Sequence, residues 1–173
     1  MKRPHIRACA DIVAASEPWI TLQETVDFNK YIARKEAYVC ILRQAGNDQV
    51  AGFLVVAPEP VFARGGYLRA IGVSPSLRRH RIGSALLAFA EKMVARQAPN
   101  IYLCVSSFNR QGRAFYKNQG YTKVGTLSGL TSPNTSEYIY RKHLAPACAK
   151  KCTIQRERPA TRTGSVKGKI SRP

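Results

Sequence analysis

At 173 residues, with 45% apolar and 22% charged side chains, the chain has the size and composition of one globular domain with a single core. A formal charge of +18 and a pI near 10.2 imply attraction to a polyanion, whether nucleic acid, an anionic surface or a phosphate-rich cofactor. The longest apolar run, Phe53 to Ala57, is strand-sized against the ~20 residues that span a bilayer, and Arg7 and Asp11 interrupt any signal-like start, so the expectation is a cytoplasmic protein with no membrane segment.

His5 to Cys9 alternates as a short first strand, and Asp11 suits the N-cap of a helix over Ile12 to Ser16. Pro18-Trp19 breaks that run. Leu22, Val26, Phe28, Tyr31 and Ile32 then give an apolar side to a second helix from Gln23 to about Ala33. Ala37 to Gln44 and Gln49 to Ala57 read as a β-hairpin turning at Ala45-Gly46-Asn47-Asp48. Pro58 and Pro60 end the second strand, Gly65-Gly66 permits a turn, and Tyr67 to Val73 returns as a third antiparallel strand.

The stretch Ile71 to Phe89, IGVSPSLRRHRIGSALLAF, passes from a strand end through a basic loop into an amphipathic helix over Ile82 to Arg96. The free N–H groups and dipole of that helix start, with Gly83 letting a ligand approach the backbone, make an anion seat. Arg78, Arg79, His80 and Arg81 around it favour a multiply charged phosphate, such as a pyrophosphate, over a carboxylate.

Ile101 to Val105 is an unbroken apolar run, expected as a central strand parallel to Tyr67 to Val73 after the helical crossover. Asn109 to Asn118 forms a short helix closed by Gly120, and Tyr121 to Leu127 and Glu137 to Lys142 are two further strands joined by a polar loop. From residue 145 the composition changes to eight Lys and Arg against Glu157, with no apolar periodicity, so the reading is a domain over 1–144 and a disordered basic tail over 145–173. That tail is either an arm for RNA or another polyanion or a solvated extension. Five cysteines at irregular spacing read as reduced thiols, and His143, Cys148 and Cys152 make too weak a set for a metal site, so no metal is expected.

Two motifs and the element order together carry a family resemblance. Arg78 to Gly83 resembles the acyl-CoA signature of the GNAT superfamily, Gln/Arg-x-x-Gly-x-Gly/Ala, with Arg81 where the family usually has its first glycine. Arg81 is read as tolerable because nothing requires positive φ once the helix has begun. Asn109 to Gly120, NRQGRAFYKNQG, resembles the family's Asn-x4-Ala-x-Tyr-x3-Gly helix. The expected order, β-α-α-β-β-β-α-β-α-β-β in an α/β mixed sheet, matches the GNAT acyl-CoA N-acyltransferase fold over about residues 5 to 142.

The resemblance implies acetyl transfer from acetyl-CoA to a primary amine, small or on a protein, by direct attack in a ternary complex. Negative charge develops on the thioester oxygen and then on the departing sulfur, so donors are needed at both. By the resemblance, Ile71, Gly72 and Val73 position the acyl arm, with the Val73 N–H a donor to the carbonyl oxygen. Arg78, Arg79, His80, Arg81, Ile82, Gly83 and Ser84 hold the diphosphate, and Asn109 suits the pantetheine amides. Tyr116 would protonate the thiolate, since a phenol keeps its proton at neutral pH.

No carboxylate stands where relatives place a general base. Tyr67 and Cys104 occupy the positions where histone-modifying and ribosomal-protein relatives have glutamates. Glu137 is a further candidate, with an exposed cross-strand pairing to a lysine or arginine as its plainer role. Residues 11 to 27 hold Asp11, Glu17, Glu24 and Asp27 and no Lys or Arg, a patch that would draw a cationic amine, with Trp19 as an aromatic surface. A non-catalytic CoA-binding or RNA-associated module stays open as the second reading, and the chain is expected as a monomer or homodimer.

Overall fold

The computed structural model describes residues 1–44, 47–62 and 64–144. A single 3₁₀ turn, Arg3–His5, leads into α1 (Ile6–Ala14), followed by α2 (Trp19–Leu22) and α3 (Phe28–Ala33). The sheet strands are β1 (Ala37–Gln44), β2 (Asn47–Phe62), β3 (Gly65–Val73), β4 (Asn100–Ser106), β5 (Thr122–Ser128) and β6 (Ser136–His143). Between them lie a 3₁₀ turn at Pro75–Leu77, α4 (Ile82–Val94) and α5 (Arg110–Asn118). Six strands form one sheet in the order β1-β2-β3-β4-β6-β5, antiparallel except for the expected parallel pair of β3 with β4.

The chain opens with a helix where alternation suggested a strand. Ile6, Cys9, Ile12 and Val13 fall at helical spacing, and Cys9, Ile12 and Val13 are buried as one face of α1, so Asp11 sits inside that helix and caps nothing. The expected helix over Gln23 to Ala33 is instead two short pieces. Gln23 closes α2 in the left-handed region (φ 55°), and Asp27 starts α3 by accepting the Lys30 N–H at 3.1 Å.

β2 also runs on through Pro58 and Pro60. The β1 ladder begins at Ala37 opposite Val55, so beyond that point no β1 strand asks β2 for the N–H groups the prolines lack. Gly65-Gly66 belongs to β3 rather than to the turn before it. Gln44 pairs with Asn47, so Asn47 and Asp48 belong to β2 rather than to the expected turn, whose residues 45–46 lie outside the described residues. The basic segment 145–173 lies outside them as well.

Helices cover both faces of the sheet. Leu86, Leu87, Ala90 and Val94 of α4, with Tyr116 of α5, pack on Leu54, Leu68, Ile101, Leu103 and Val105. The α1–α3 layer covers the opposite face, where Cys9, Ile12, Val13 and Phe28 pack on Phe53 and Val55. Phe53 is the hub of that side, with Phe28 edge-on at 5.0 Å and Trp19 at 5.9 Å between ring centroids.

Candidate active site

The site begins with a break in the sheet. β3 pairs with β4 only from Gly65 opposite Asn100 to Leu68 opposite Leu103. At the next residue, Arg69, the β2–β3 register shifts, since Val56 faces Leu68 and Val55 faces Ala70. Past this bulge β3 stays paired with β2 as far as Val73 but no longer with β4, so the last residues of β3 and β4 part and leave a cleft. Arg69 is fixed there by a 2.9 Å ion pair with Glu36, and its guanidinium lies over the rings of Tyr31 and Tyr67 at 5.7 and 5.8 Å.

Backbone alternation arms one wall of the cleft. The Ser74 N–H donates to the Ala51 carbonyl at 2.9 Å, so Ser74 and Gly72 turn toward β2 while the N–H groups of Val73 and Ile71 turn into the gap. The Val73 N–H can therefore meet a thioester oxygen, whereas Gly72 contributes by its ladder bonds and by lacking a side chain. A Cβ on Gly72 would stand 2.5 Å from Cε1 of Phe53 and 3.0 Å from Cγ2 of Ile12.

The start of α4 faces the same cleft with its donors unspent. Among the described residues no side chain caps it, and the first intrahelical bond is from the Ala85 N–H to the Arg81 carbonyl at 3.0 Å, leaving the N–H groups of Ile82, Gly83 and Ser84 without a partner there and open to an anion. A Cβ on Gly83 would lie 3.6 Å from both Val73 Cγ2 and Phe115 Cζ, which places strand end, helix start and α5 around one point. Gln119 adds a tie between the helices, its Nε2 donating to Ser84 Oγ at 3.3 Å.

The four basic-loop residues divide in function. Arg81 is the N-cap itself, at φ 59°, and Arg79 is also left-handed at φ 66°. The helix has not begun at Arg81, so this position does require the positive φ that a glycine would adopt freely, and Arg81 holds it under strain. Arg78 does not face the anion seat: its guanidinium donates to Ser16 Oγ at 2.8 Å and the Ala15 carbonyl at 3.3 Å, and its Nε reaches the Val73 carbonyl at 3.5 Å. It ties the loop to the end of α1 and to the strand end. His80 folds its Nδ1 onto the Arg78 carbonyl at 2.9 Å, so Arg79 and Arg81 are the exposed cations nearest the helix start.

On α5, Asn109 spends its side-chain oxygen on capping, accepting the Gly112 N–H at 2.8 Å, which leaves only its two amide donors for a ligand. Tyr116 is buried between the rings of Phe115 and Tyr121, at 5.2 and 5.7 Å. Its hydroxyl has no partner among the described residues, and burial holds its proton well above the usual phenol range.

On the α1–α3 face of the sheet, Tyr67, Cys104, Ser106 and Glu137 share one side of adjacent strands, with Glu137 directly opposite Ser106. Glu137 is buried, 6% exposed, and in no ion pair among the described residues, contrary to its expectation as an exposed partner for Lys or Arg. Among the described residues its Oε1 and the Ser106 Oγ lack hydrogen-bond partners, although the hydroxyl lies near enough to act on the carboxylate. Burial raises the carboxyl above its usual range, Ser106 partly offsets this, and the charge of Glu24 raises it further. Burial likewise raises Cys104 and Tyr67, which interact with one another and feel Glu137.

The acidic patch separates into different uses. Asp27 caps α3, Glu17 accepts from Thr21 Oγ1 at 2.9 Å, Asp11 is exposed on α1, and only Glu24 acts on Glu137. Trp19 packs on Phe53, so its ring is largely spent on the core. Ser106 and Phe115 escaped the sequence reading. Alternation along Tyr102, Cys104 and Ser106 was the available signal for Ser106, while Phe115 has none beyond adjacency to Tyr116.

Among the described residues no group of three metal-ligating side chains occurs, and Cys148 and Cys152 lie outside them. No curated protein sequence matches the chain. The solved structure of Ard1 from Thermoplasma volcanium is similar at TM-score 0.65 and 18% identity, over 84% of this chain and 95% of that one. The ribosomal-protein-S18-alanine N-acetyltransferase from Escherichia coli is similar at TM-score 0.62 and 18% identity, over 88% and 94%. The NatC complex bound to Gag peptide and CoA gives TM-score 0.66 and 17% identity, over 83% and 93%. The family model for the acetyltransferase (GNAT) family matches residues 6–121, from the first helix through the Tyr116 motif to Tyr121. With the parted strands and uncapped helix start lying inside that span, the chain belongs to the GNAT family, as an acyltransferase whose co-substrate is acetyl-CoA.

Proposed function

We propose that this enzyme transfers acetyl from acetyl-CoA to a primary amine by direct attack in a ternary complex. The observation that carries this is the parting of β3 from β4 after Leu68 beside the uncapped start of α4. One opening thus offers a Val73 N–H for the thioester oxygen and helix amides for the diphosphate.

The acyl arm enters from the α4–α5 side, with its carbonyl toward Val73 and its sulfur toward Tyr116. Arg79 and Arg81 add charge at the diphosphate, and Asn109 offers its amide donors to pantetheine. The amine approaches from the α1–α3 side, past Glu24, and its nitrogen attacks the carbonyl carbon. As the C–S bond breaks, the sulfur takes the Tyr116 proton, which burial has kept in place at every ordinary pH.

Free-thiol release from acetyl-CoA, followed against a panel of small amines and N-terminal peptides, tests the reading, with Tyr116→Phe as control. Thiol release that depends on an amine and drops in the variant is the expected result, and acetyl-CoA binding without transfer to any amine overturns it. The alternative, a non-catalytic CoA-binding or RNA-associated module, rests on the lack of a carboxylate at the relatives' base positions and on the basic tail, and acetyl-CoA binding without transfer would favour it. Contact of the basic segment after residue 144 with a polyanion is a separate proposal, tested by its deletion.

A further inference from the structure

We propose that Glu137 is the general base of this enzyme and that the acceptor's ammonium group is seated against it, between Ser106 and Cys104 on the sheet face opposite α4. The inference rests on the acetyl-transfer reading and adds to it the group that receives the acceptor and takes its proton. Relatives that carry a glutamate at the positions of Tyr67 or Cys104 give no guide to this one, which comes from the far strand β6.

The placement argues for it in three ways. A carboxylate shielded from water is costly unless it meets a cation or a full set of donors, and among the described residues Glu137 has neither. Arg69, the cation nearest on β3, is already committed to Glu36. The complement Glu137 lacks is therefore a positive group with N–H donors, which is what a protonated primary amine supplies. The position is also correct for the chemistry. Glu137 and Ser106 form the pair at the open end of β4, where β3 has departed, so an amine held there meets a thioester lodged in the gap. Lastly, Glu24, between α2 and α3, lies near enough for its negative charge to act on Glu137, which favours a cation there.

The protons balance as follows. Glu137 takes one proton from the ammonium and releases it to water, freeing the nitrogen lone pair. The nitrogen attacks the carbonyl carbon, and Glu137, again ionised, takes a second proton from the tetrahedral nitrogen as the C–S bond breaks and passes it to water in turn. The sulfur leaves with the Tyr116 proton, and Tyr116 regains one from solvent. The third ammonium proton stays on the amide, and one proton is released overall.

The test uses full-length protein with spermidine, tyramine and an alanine-initiated tetrapeptide as acceptors, comparing wild type with Glu137→Gln. For the best acceptor the expected result is a fall in kcat of about a hundredfold or more. Acetyl-CoA affinity by calorimetry should stay within twofold. The deficit should narrow as pH rises toward the acceptor's own pKa, where the amine arrives deprotonated, a trend that a merely structural role would not produce. Should the glutamine variant fail to fold, Glu137→Ala with added formate replaces it: recovery of rate by formate supports the base, and no recovery overturns it. A glutamine variant within threefold of wild type at pH 7 overturns this inference alone. Absence of transfer to every acceptor by wild type that binds acetyl-CoA overturns the acetyl-transfer reading, and the base with it.

Discussion

Val73 stands opposite Gly52 in the β2–β3 ladder, and the missing side chain of Gly52 is what allows the end of β3 to lie close against β2. A Cβ at Gly52 would come within 2.6 Å of the Gly72 carbonyl oxygen, 3.1 Å of Leu86 Cδ1 and 3.4 Å of Val73 Cα. Backbone cannot give way as a side chain tip can, so Gly52→Ala must shift the strand end that aims the Val73 N–H. We expect a loss of stability of about 1–3 kcal/mol in urea unfolding. Acetyl-CoA affinity should weaken roughly tenfold, equivalent to ~1.4 kcal/mol. An unchanged Kd would show that the Val73 position is not set by this contact.

Tyr116→Phe keeps the ring that fills the space between Phe115 and Tyr121 and removes only the hydroxyl. Because that hydroxyl has no protein partner among the described residues, folding stability should change by less than about 1 kcal/mol. The rate of acetyl transfer should fall by roughly a hundredfold, with the KM for acetyl-CoA nearly unchanged. Burial holds the phenol's proton far above neutrality, so no fall in wild-type rate from its ionisation is expected on the alkaline side up to about pH 10, the ordinary phenol value. A Phe variant of full activity would remove Tyr116 from the reaction.

Arg81 takes the left-handed N-cap conformation that glycine holds without a Cβ clash. The clash is worth roughly 1–2 kcal/mol for an ordinary residue. Glycine also gains freedom in the unfolded chain, which returns about 0.4–1 kcal/mol of that. Arg81→Gly should therefore be slightly more stable than wild type, whereas Arg81→Val, with a branched Cβ at positive φ, should be clearly less stable. Both lose the same charge beside the anion seat, so thermal unfolding of the pair isolates the backbone effect. Equal melting temperatures for the two variants would contradict it.

Arg78 and Arg79 are neighbours with different work. Arg78 bonds to Ser16, Ala15 and Val73, while Arg79 stands exposed beside the helix start. Arg78→Ala should lower stability and weaken acetyl-CoA binding at every salt concentration, because it releases the loop from α1. Arg79→Ala should leave stability alone and weaken binding a few fold at low salt only, since an exposed charge is screened within a Debye length of about 3 Å at 1 M. Calorimetry at two ionic strengths distinguishes them.

Much of this architecture is written locally. AYVCILRQ and IYLCV are apolar runs bounded by turn-forming residues, and the helix beginning at Ile82 carries its own periodicity, so β1, β4 and α4 fall where composition places them. His5 to Cys9 misleads because five residues are too few to separate a period of 2 from one of 3.6; only the continuation to Ile12 and Val13 reveals the helix. The strain at Arg81 is invisible because a non-glycine side chain gives no hint of positive φ. Likewise, the site's residue types were legible and their directions were not. Arg78 turns from the anion seat because of Ser16, 62 positions earlier, and Glu137, buried opposite Ser106, feels Glu24, 113 positions earlier, neither of which local spacing reveals.

The burial of Glu137 sets opposite demands on stability and on activity. Facing it are Ser106 and Cys104 from β4, Tyr67 from β3 and Glu24 from the segment between α2 and α3; among these, Glu24 adds a like charge and none is a cation. Its folded pKa is raised, so its contribution is fully present below the unfolded carboxyl value and is lost as pH rises through the folded one. Glutamine cannot ionise and keeps that contribution. Glu137→Gln should therefore match wild type in acid and exceed it in urea midpoint at neutral pH, with the gap opening as pH climbs above the ordinary carboxyl range near 4.3. Glu24→Gln should narrow the gap by removing the like charge. A glutamine variant less stable than wild type at pH 7 would mean that the native carboxylate is already satisfied, which would leave it no reason to receive an ammonium.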